Sequence, residues 1–178
     1  VEVNLPQLPH LGGTGWDMNQ AIIAQNAAGN FGEYLVHALQ IHSNGSRYFK
    51  HEYKKDGEDV SDITSNTTLV RTTLRVRWDA AQKYLHAEYD ATPSGDNPTW
   101  TSLQSYDLVN GNTKWNMGAE DSFVISLRSG TDKREVAQSD QVWFDNFSIE
   151  GDSNSTPPTI ITQPTGITVS AHGNATLE

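Results

Sequence analysis

The chain of 178 residues has no cysteine, no long hydrophobic run and few basic residues. Without cysteine it can form no disulfide, no thiolate metal site and no thiol-based catalytic site. It contains no stretch of about 18 apolar residues, which excludes a membrane-spanning helix. Twelve Lys and Arg stand against 22 Asp and Glu, a net charge of −10. This balance disfavours nucleic acids and anionic membrane surfaces as partners, because both are bound through basic patches.

The residues that are present suit a folded domain made of strands. Hydrophobic residues make up 35% of the chain, with 5 Trp, 6 Tyr and 5 Phe, which is enough apolar bulk for one core. Short segments of alternating apolar and polar residues are separated by turn residues, the pattern of an all-β domain. We therefore predict a two-sheet antiparallel jelly-roll sandwich over residues 1–150.

The clearest unit is a β-hairpin within residues 71–90. Leu74, Val76 and Trp78 alternate with arginines in the first arm, and the second arm alternates in the same way. A four-residue loop at Asp79 to Gln82 brings the two apolar faces together. This register predicts Val76 opposite Leu85, Leu74 opposite Ala87, Arg75 opposite His86 and Arg77 opposite Tyr84.

Four more segments are predicted to be strands. The Asn44-Gly45 step supplies the positive φ angles of a tight hairpin turn between two of them. The segment Asp17 to Ala28 is compatible with a short helix. The predicted strands cover residues 33–42, 47–53, 122–128 and 141–149.

The end of the chain differs from the rest in composition. Residues 151–158 form a polar segment ending in two prolines, which predicts a linker. Residues 159–178 follow the pattern Ile-x-x-Gln-Pro, then a Val-containing strand, and close on Gly173-Asn-Ala-Thr-Leu177. This segment resembles the start of a bacterial immunoglobulin-like domain. The resemblance implies a longer modular protein, secreted or at the cell surface.

Five segments between Val70 and Gly151 follow a recognisable arrangement. A strand ending in Trp-Asp leads to one with Leu near its start, followed by Trp-x-x-Leu, a Phe-x-Ile-x-Leu strand and a last strand with an aspartate. This arrangement resembles the concanavalin-A-like lectin and glucanase (laminin-G-like) superfamily, which implies a jelly roll that binds carbohydrate. The segments are Leu74-Arg-Val-Arg-Trp-Asp79, Leu85-His-Ala-Glu-Tyr89, Trp100-Thr-Ser-Leu103, Phe123-Val-Ile-Ser-Leu127 and Val142-Trp-Phe-Asp-Asn-Phe147.

The acidic residues do not follow the pattern of a glucanase site. Retaining glucanases of this superfamily place alternating carboxylates on one strand, because nucleophile and acid must lie about 5–5.5 Å apart. Here the cluster Asp56-Gly-Glu58-Asp59 lies in a stretch that is typical of a loop. We interpret these carboxylates as solvated turn residues, so that a glucanase of the usual type is disfavoured.

Fragments of another catalytic pattern are present. A polysaccharide lyase of this architecture needs a base, an Arg or Gln that neutralises a uronate, and commonly a Tyr–His pair. Gln40-Ile-His42 and Tyr48-Phe-Lys50 resemble pieces of alginate-lyase motifs, although their order and spacing differ. We interpret most of this similarity as a coincidence among strand residues, and a lyase is kept as the alternative to a binding module.

Histidines 37, 42 and 51 are candidates for a metal site or for structural roles. His37 shares a strand face with Leu35, Leu39 and Ile41, which predicts a hydrogen-bonded, partly buried side chain. His42 and His51 lie on different hairpin arms without a flanking carboxylate pattern. The sequence therefore favours structural histidines.

Asp145 is the candidate metal ligand. It shares a predicted strand face with Trp143, Phe147 and Ile149, where an unpaired carboxylate would cost several kcal/mol. In the superfamily that the chain resembles, an aspartate of the last strand commonly binds a structural calcium ion, so the resemblance implies calcium here. The alternative is an Asp145 held by hydrogen bonds at a strand bend.

Candidate glycan-binding residues come from two places. Trp115 and Trp16 lie in polar loop surroundings, where a flat ring can stack on a sugar, although a loop Trp often plugs the end of a sandwich instead. The polar face of the hairpin is the second candidate, and its alternative is a solvated sheet surface. Its residues are Arg75, Arg77, Tyr84 and His86.

Two functions of different class follow from these observations. The first is a non-catalytic carbohydrate-binding or adhesion module of a secreted multidomain bacterial protein, monomeric within a longer chain. The second is a polysaccharide-degrading enzyme, a lyase or hydrolase with a divergent active site. The absent carboxylate strand and the immunoglobulin-like segment favour the first, with a polysaccharide or glycan as the partner.

Overall fold

The fold is all-β, as predicted. A computed structural model describes residues 1–7, 16–27, 32–93, 97–115, 122–131, 142–150 and 174–177. Over these residues it has one short 3₁₀ turn and no helix that is long and apolar enough to cross a membrane. The strands are β1 Glu2–Asn4, β2 Trp16–Asn26, β3 Tyr34–His42, β4 Arg47–Lys55, β5 Glu58–Thr67, β6 Arg71–Asp79, β7 Tyr84–Asp90, β8 Thr101–Asp107, β9 Phe123–Thr131, β10 Trp143–Asp145 and β11 Asn174–Leu177.

The strands form two sheets in a jelly-roll-like sandwich. The five-stranded sheet has the order β10-β1-β6-β7-β8, and the six-stranded sheet has the order β11-β9-β2-β3-β4-β5. Neighbouring strands are antiparallel in both sheets. The chain passes from one sheet to the other after β1, β5, β8, β9 and β10, so both sheets are built from distant parts of the sequence.

The core lies between the sheets and consists of every second side chain of the inner strands. One cluster gathers Leu39 and Ile41 of the six-stranded sheet with Val3 and Leu74 of the five-stranded sheet. A second cluster packs aliphatic and aromatic side chains of both sheets around Trp115. Full burial of each large apolar side chain contributes about 1.5–3 kcal/mol, so this alternation is what holds the sheets together.

The hairpin of β6 and β7 is confirmed, but its predicted register is wrong by two residues. Asp79 pairs with Tyr84, which places Arg75 opposite Glu88 and Arg77 opposite His86. A two-residue shift keeps every side chain on its predicted face, because side chains alternate with period two. The apolar face is therefore as expected, while the cross-strand partners of the arginines are different.

Asp79 explains the register. Its Oδ1 accepts hydrogen bonds from the backbone N–H groups of Ala81 and Gln82, at 3.1 and 2.9 Å. The Lys83 N–H donates to the Asp79 carbonyl at 2.7 Å, and Lys83 takes a left-handed φ of 63°. Asp79 thus forms the last pair of the β6–β7 ladder with Tyr84 and also accepts the hydrogen bonds of the turn. The loop therefore comprises residues 80–83.

The hairpin of β3 and β4 is confirmed with its turn. The His42 N–H donates to the Ser46 carbonyl and the Gly45 N–H to the His42 carbonyl, both at 2.9 Å. Gly45 alone of the Asn44-Gly45 pair has a positive φ, 83°. The predicted strand at 122–128 is also confirmed, as β9.

Two predicted elements are corrected. The segment Asp17 to Ala28 is not a helix, since residues 16–26 form β2, which hydrogen-bonds to β3 on one side and to β9 on the other. Two complete ladders outweigh a weak helical preference. The last predicted strand, 141–149, is reduced to the three residues of β10, because Asn146 turns the chain with a φ of 51°.

The predicted linker and most of the immunoglobulin-like segment lie outside the described residues. Of residues 159–178 the structure describes 174–177, which form β11 and pair antiparallel with β9 at the edge of the six-stranded sheet. The predicted division of the chain into domains stays a prediction.

The observed register can be tested by double-mutant cycles. We expect Arg75→Ala and Glu88→Gln to show a coupling energy of about 1–3 kcal/mol in urea unfolding, because the two side chains form a charge-assisted hydrogen bond. Arg75→Ala and His86→Ala should couple more weakly. A stronger coupling of Arg75 with His86 than with Glu88 would restore the register predicted from the sequence.

Candidate functional site

A groove of about 400 Å³ crosses the outer face of the six-stranded sheet. Its lining comes from four adjacent strands, with each side chain on the face opposite the core. The groove is lined by Asn19, Ala21, Ile23 and Gln25 of β2, Tyr34, Val36, Ala38 and Gln40 of β3, Lys50 and Glu52 of β4, and Ser126 and Arg128 of β9.

The depth of the groove comes from two alanines. Ala21 and Ala38 are cross-strand partners in the middle of the sheet, and the next residues in the same row are Arg128 on one side and Lys50 on the other. Strands lie about 4.8 Å apart, so these two long cationic side chains start about 14 Å apart. Small residues between long ones produce a depression with polar walls.

Amide side chains line the groove on both sides of the alanine pair. Asn19 lies opposite Gln40, and Gln25 lies opposite Tyr34. An amide offers both a hydrogen-bond donor and an acceptor, and a sugar hydroxyl can bond to both.

Acidic groups on the β4 side of the groove are already paired. The Tyr34 hydroxyl donates to Glu52 Oε1 at 2.8 Å, and Lys50 Nζ lies 3.1 Å from Asp62 Oδ2. Lys54 Nζ is 3.2 Å from Asp59 Oδ1 and 3.8 Å from Glu52 Oε1. Burial and the bond to Glu52 raise the pKa of Tyr34, so its hydroxyl stays protonated at neutral pH.

Three polar side chains meet where β3 turns into β4. The His42 and Tyr48 rings lie 4.5 Å apart, and Gln40 Nε2 is 3.3 Å from His42 Nε2. Tyr48 also borders a second depression of about 350 Å³ that includes Arg47 and Asn66. The segments Gln40-Ile-His42 and Tyr48-Phe-Lys50, noted in the sequence, therefore come together at one end of the groove.

The structure gathers the predicted sheet residues Arg75, Arg77, Tyr84 and His86 on the outer face of the five-stranded sheet. Buried Glu88 lies between the two arginines, with Arg75 Nε at 2.7 Å and Arg77 Nη2 at 3.2 Å from its carboxylate. The Trp100 ring covers the Arg75 guanidinium at 3.9 Å. Both arginines are thus engaged within the protein.

His86 belongs to the same face and is held by its neighbours. Its Nδ1 lies 2.7 Å from Ser105 Oγ, and its ring stacks on Tyr84 with 6.1 Å between centroids. Burial and the charge of Arg77 lower the pKa of His86, so the ring is neutral at physiological pH.

The expectation of a solvent-facing Trp115 is corrected. The side chain is 1% exposed, stacks on Tyr53 and donates from Nε1 to the Lys54 carbonyl at 2.9 Å. Its ring closes one end of the core, because a large ring with one satisfied donor is most stable there. Trp16 contributes backbone to β2, and its side chain lies outside the described part of the structure.

The burial argument for Asp145 is wrong. The strand ends at this residue, its side chain is exposed, and Oδ1 accepts the Asn146 N–H at 2.8 Å. The buried carboxylate is that of its cross-strand neighbour Glu2, 1% exposed. Glu2 accepts hydrogen bonds from Arg71 and, at 2.9 Å, from Asn146 Nδ2.

A calcium site built on Asp145 would need further oxygen ligands beside this carboxylate. Calcium takes about 6–8 oxygen ligands, which include carboxylates, backbone carbonyls and water. Across the described ranges the structure holds no group of three or more His, Cys, Asp or Glu placed to bind a metal ion. Calcium binding stays a prediction from the resemblance alone.

His37 is hydrogen-bonded, as predicted, and more deeply buried than expected. The side chain is 0% exposed, and its Nε2 lies 2.9 Å from the Glu88 carbonyl of the opposite sheet.

The sequence reasoning missed the groove as a unit. Four of its twelve lining residues come from β2, a segment that the sequence left open as a possible helix. The detectable signal was the alternation of Met18, Gln20, Ile22 and Ala24, all buried, with the groove residues between them.

No protein-family model, curated protein or solved structure matches this chain.

The assignment of Glu2 and Asp145 predicts different effects of mutation. Glu2→Ala should lower the free energy of unfolding by about 1–3 kcal/mol, because it removes a buried acceptor of two hydrogen bonds. Asp145→Ala should change it by less than about 0.5 kcal/mol, as is usual at an exposed position. Urea denaturation of both variants checks this, and a larger loss for Asp145→Ala would contradict the assignment.

Proposed function

We propose that this chain is a non-catalytic carbohydrate-binding module and that the groove of the six-stranded sheet is its binding site. The observation that carries the proposal is the groove itself, in which an alanine floor lies between walls rich in amide groups.

The lining matches the chemistry of a saccharide. Sugar hydroxyls both donate and accept hydrogen bonds. The amide side chains of Asn19, Gln25 and Gln40 can accept from such a hydroxyl and donate to it. The C–H faces of a sugar ring need apolar contact, which Ile23 and Val36 supply beside the floor. Ligand sites in proteins commonly measure about 300–1,000 Å³, so the groove suits a short stretch of a polysaccharide.

The outer face of the five-stranded sheet supports binding less well. Arg75 and Arg77 share one buried carboxylate, and Trp100 covers the Arg75 guanidinium. Recruiting these groups to a glycan would require breaking contacts that stabilise the sheet. We therefore assign the glycan to the groove rather than to the face favoured by the sequence.

We further propose that the module is part of a larger protein outside the cell. The similarity of the C-terminal segment to an immunoglobulin-like start supports a secreted or cell-surface protein in which the sandwich contributes adhesion to a polysaccharide. Bacterial origin is suggested by the same similarity.

Matched arginine variants distinguish the two faces. A glycan array first identifies a ligand, and calorimetry then compares Arg128→Gln in the groove with Arg77→Gln on the opposite face. A hydrogen bond to a charged group contributes about 1.5–3 kcal/mol, so Arg128→Gln should weaken binding about 10- to 100-fold. Arg77→Gln should leave the affinity within about twofold, since it lies on the other sheet.

A reversed result, with affinity lost only in Arg77→Gln, would move the site to the five-stranded sheet. Melting curves of both variants show whether a loss reflects unfolding. Failure of the unmutated protein to bind any polysaccharide would contradict the proposal as a whole.

A polysaccharide lyase is the second candidate, favoured by the meeting of Gln40, His42 and Tyr48. Elimination requires a base that removes the proton next to the uronate carboxylate and a group that neutralises that carboxylate. The 4.5 Å contact of the His42 and Tyr48 rings places two proton-transfer groups together, with the Gln40 amide 3.3 Å from His42. The groove leads to this cluster through Gln40.

Elimination leaves a double bond in the product, which absorbs in the ultraviolet. If the chain is a lyase, incubation with uronate-rich polysaccharides should increase this absorbance. Tyr48→Phe should then reduce the rate at least about 100-fold, the usual share of a positioned acid or base, while Tyr84→Phe on the other sheet should not change it. Binding without any increase in absorbance would favour the non-catalytic module.

A further inference from the structure

Two histidines lie side by side in the interior of the sandwich. His37 of β3 and His51 of β4 are cross-strand partners, 0% and 2% exposed, with ring centroids 4.9 Å apart in an edge-to-face arrangement. Histidine is the side chain whose charge ordinarily changes near pH 6.5, so a buried pair is a site where acid can act on the core.

One bond from this pair crosses between the sheets. His37 Nε2 lies 2.9 Å from the Glu88 carbonyl of β7. The β7–β8 ladder changes register between Ala87 and Glu88, so this carbonyl lies at an interruption of the regular pairing. The other three ring nitrogens, His37 Nδ1 and both of His51, have no hydrogen-bond partner among the residues that the structure describes.

Over the part of the chain that the structure describes, the groups packed around the pair offer no counter-charge. Phe49 of β4 is 6.3 Å from the His37 ring, and Phe49 in turn contacts Tyr89 of β7. The Glu88 carboxylate is bound by Arg75 and Arg77 on the outer face. The Val1 amino group, whose own pKa burial lowers to about 6, disfavours protonation of His37 when it is charged. An imidazolium in this place would be both desolvated and unpaired.

We propose that the His37–His51 pair is an acid-sensitive link between the two sheets, which holds the sandwich closed while both rings are neutral and opens it when they take up protons. The same two strands carry the groove. Val36 and Ala38 flank His37, and Lys50 and Glu52 flank His51, on the opposite face. If the groove binds glycan, as proposed above, acid should therefore also release the ligand.

The direction of the effect follows from the pKa values. Burial and the neighbouring His51 lower the pKa of His37 to about 3, and burial lowers that of His51 to about 4. In the unfolded chain both return to about 6.5. The stability that depends on the two neutral rings is fully present above about pH 6.5, and it is lost as pH falls from there towards 4, because the unfolded chain binds two protons that the folded chain does not.

The test is the pH dependence of unfolding. The unfolding equilibrium constant gains a factor of up to about 10 per pH unit for each proton taken up, hence up to about 100 for the pair. His51→Phe retains a ring of similar size but takes up no proton. Between pH 6 and 4.5 we therefore expect its unfolding equilibrium constant to rise by up to about tenfold less per pH unit than that of the unmutated protein. Tyr53→Phe, on the same face of β4, is the control. It should change the free energy of unfolding without changing how steeply unfolding depends on pH.

Nitrogen NMR of the unmutated protein provides a readout that does not depend on a variant folding. Both rings should remain neutral at pH 5 in the folded protein. Titration of either ring near pH 6.5, or identical pH slopes for the unmutated protein and His51→Phe, would overturn the proposal. If acid releases the glycan while the unmutated protein and His51→Phe unfold with the same pH slope, the histidine link is refuted and the release has its origin in the groove. If the two slopes differ as expected but no glycan binds, the histidine link stands and the proposed function is refuted.

Discussion

The structure depends on one constraint: a side chain between the two sheets is most stable when it is apolar or forms a hydrogen bond, since burial removes it from water. Leu35, Leu39 and Ile41 meet it by burial. Gln20 meets it by donating to the Trp143 carbonyl at 2.7 Å. His37 meets it with one nitrogen through the opposite sheet and leaves the other without a described partner, which is why the interior is sensitive to acid at this point.

The groove is the outward consequence of the same alternation. Each strand of the six-stranded sheet that buries apolar residues on one face presents the residues between them on the other. In the middle of β2 and β3 these are the alanines Ala21 and Ala38, and in the same row β4 and β9 present the long, charged Lys50 and Arg128. The shape of the candidate site is thus set by side-chain length across the strands. It needs no loop to close over it.

The sequence predicted the features that depend on residues close together in the chain and missed those that depend on distant residues. Strong local alternation identified the β6–β7 and β3–β4 hairpins and the strand β9, and a glycine identified one turn. The register of β6 and β7 could not be derived, because it depends on how Asp79 caps its loop. β2 was missed because its strand state comes from two neighbouring ladders. Of the site, Gln40 and Lys50 had been noted in the sequence, whereas their meeting with Asn19, Gln25 and Arg128 required the fold.

Glu88 connects the interior with the outer face of the five-stranded sheet. Its carbonyl accepts the bond from His37 inside, while its carboxylate holds Arg75 and Arg77 outside. A carboxylate this buried requires cationic partners, so the two arginines are explained by the sheet that they stabilise. This removes the need for a ligand on that face. In the described part of the six-stranded sheet no comparable ion pair crosses the alanine floor, and it is there that an uncharged, hydroxyl-rich ligand would meet the least competition from the protein's own contacts.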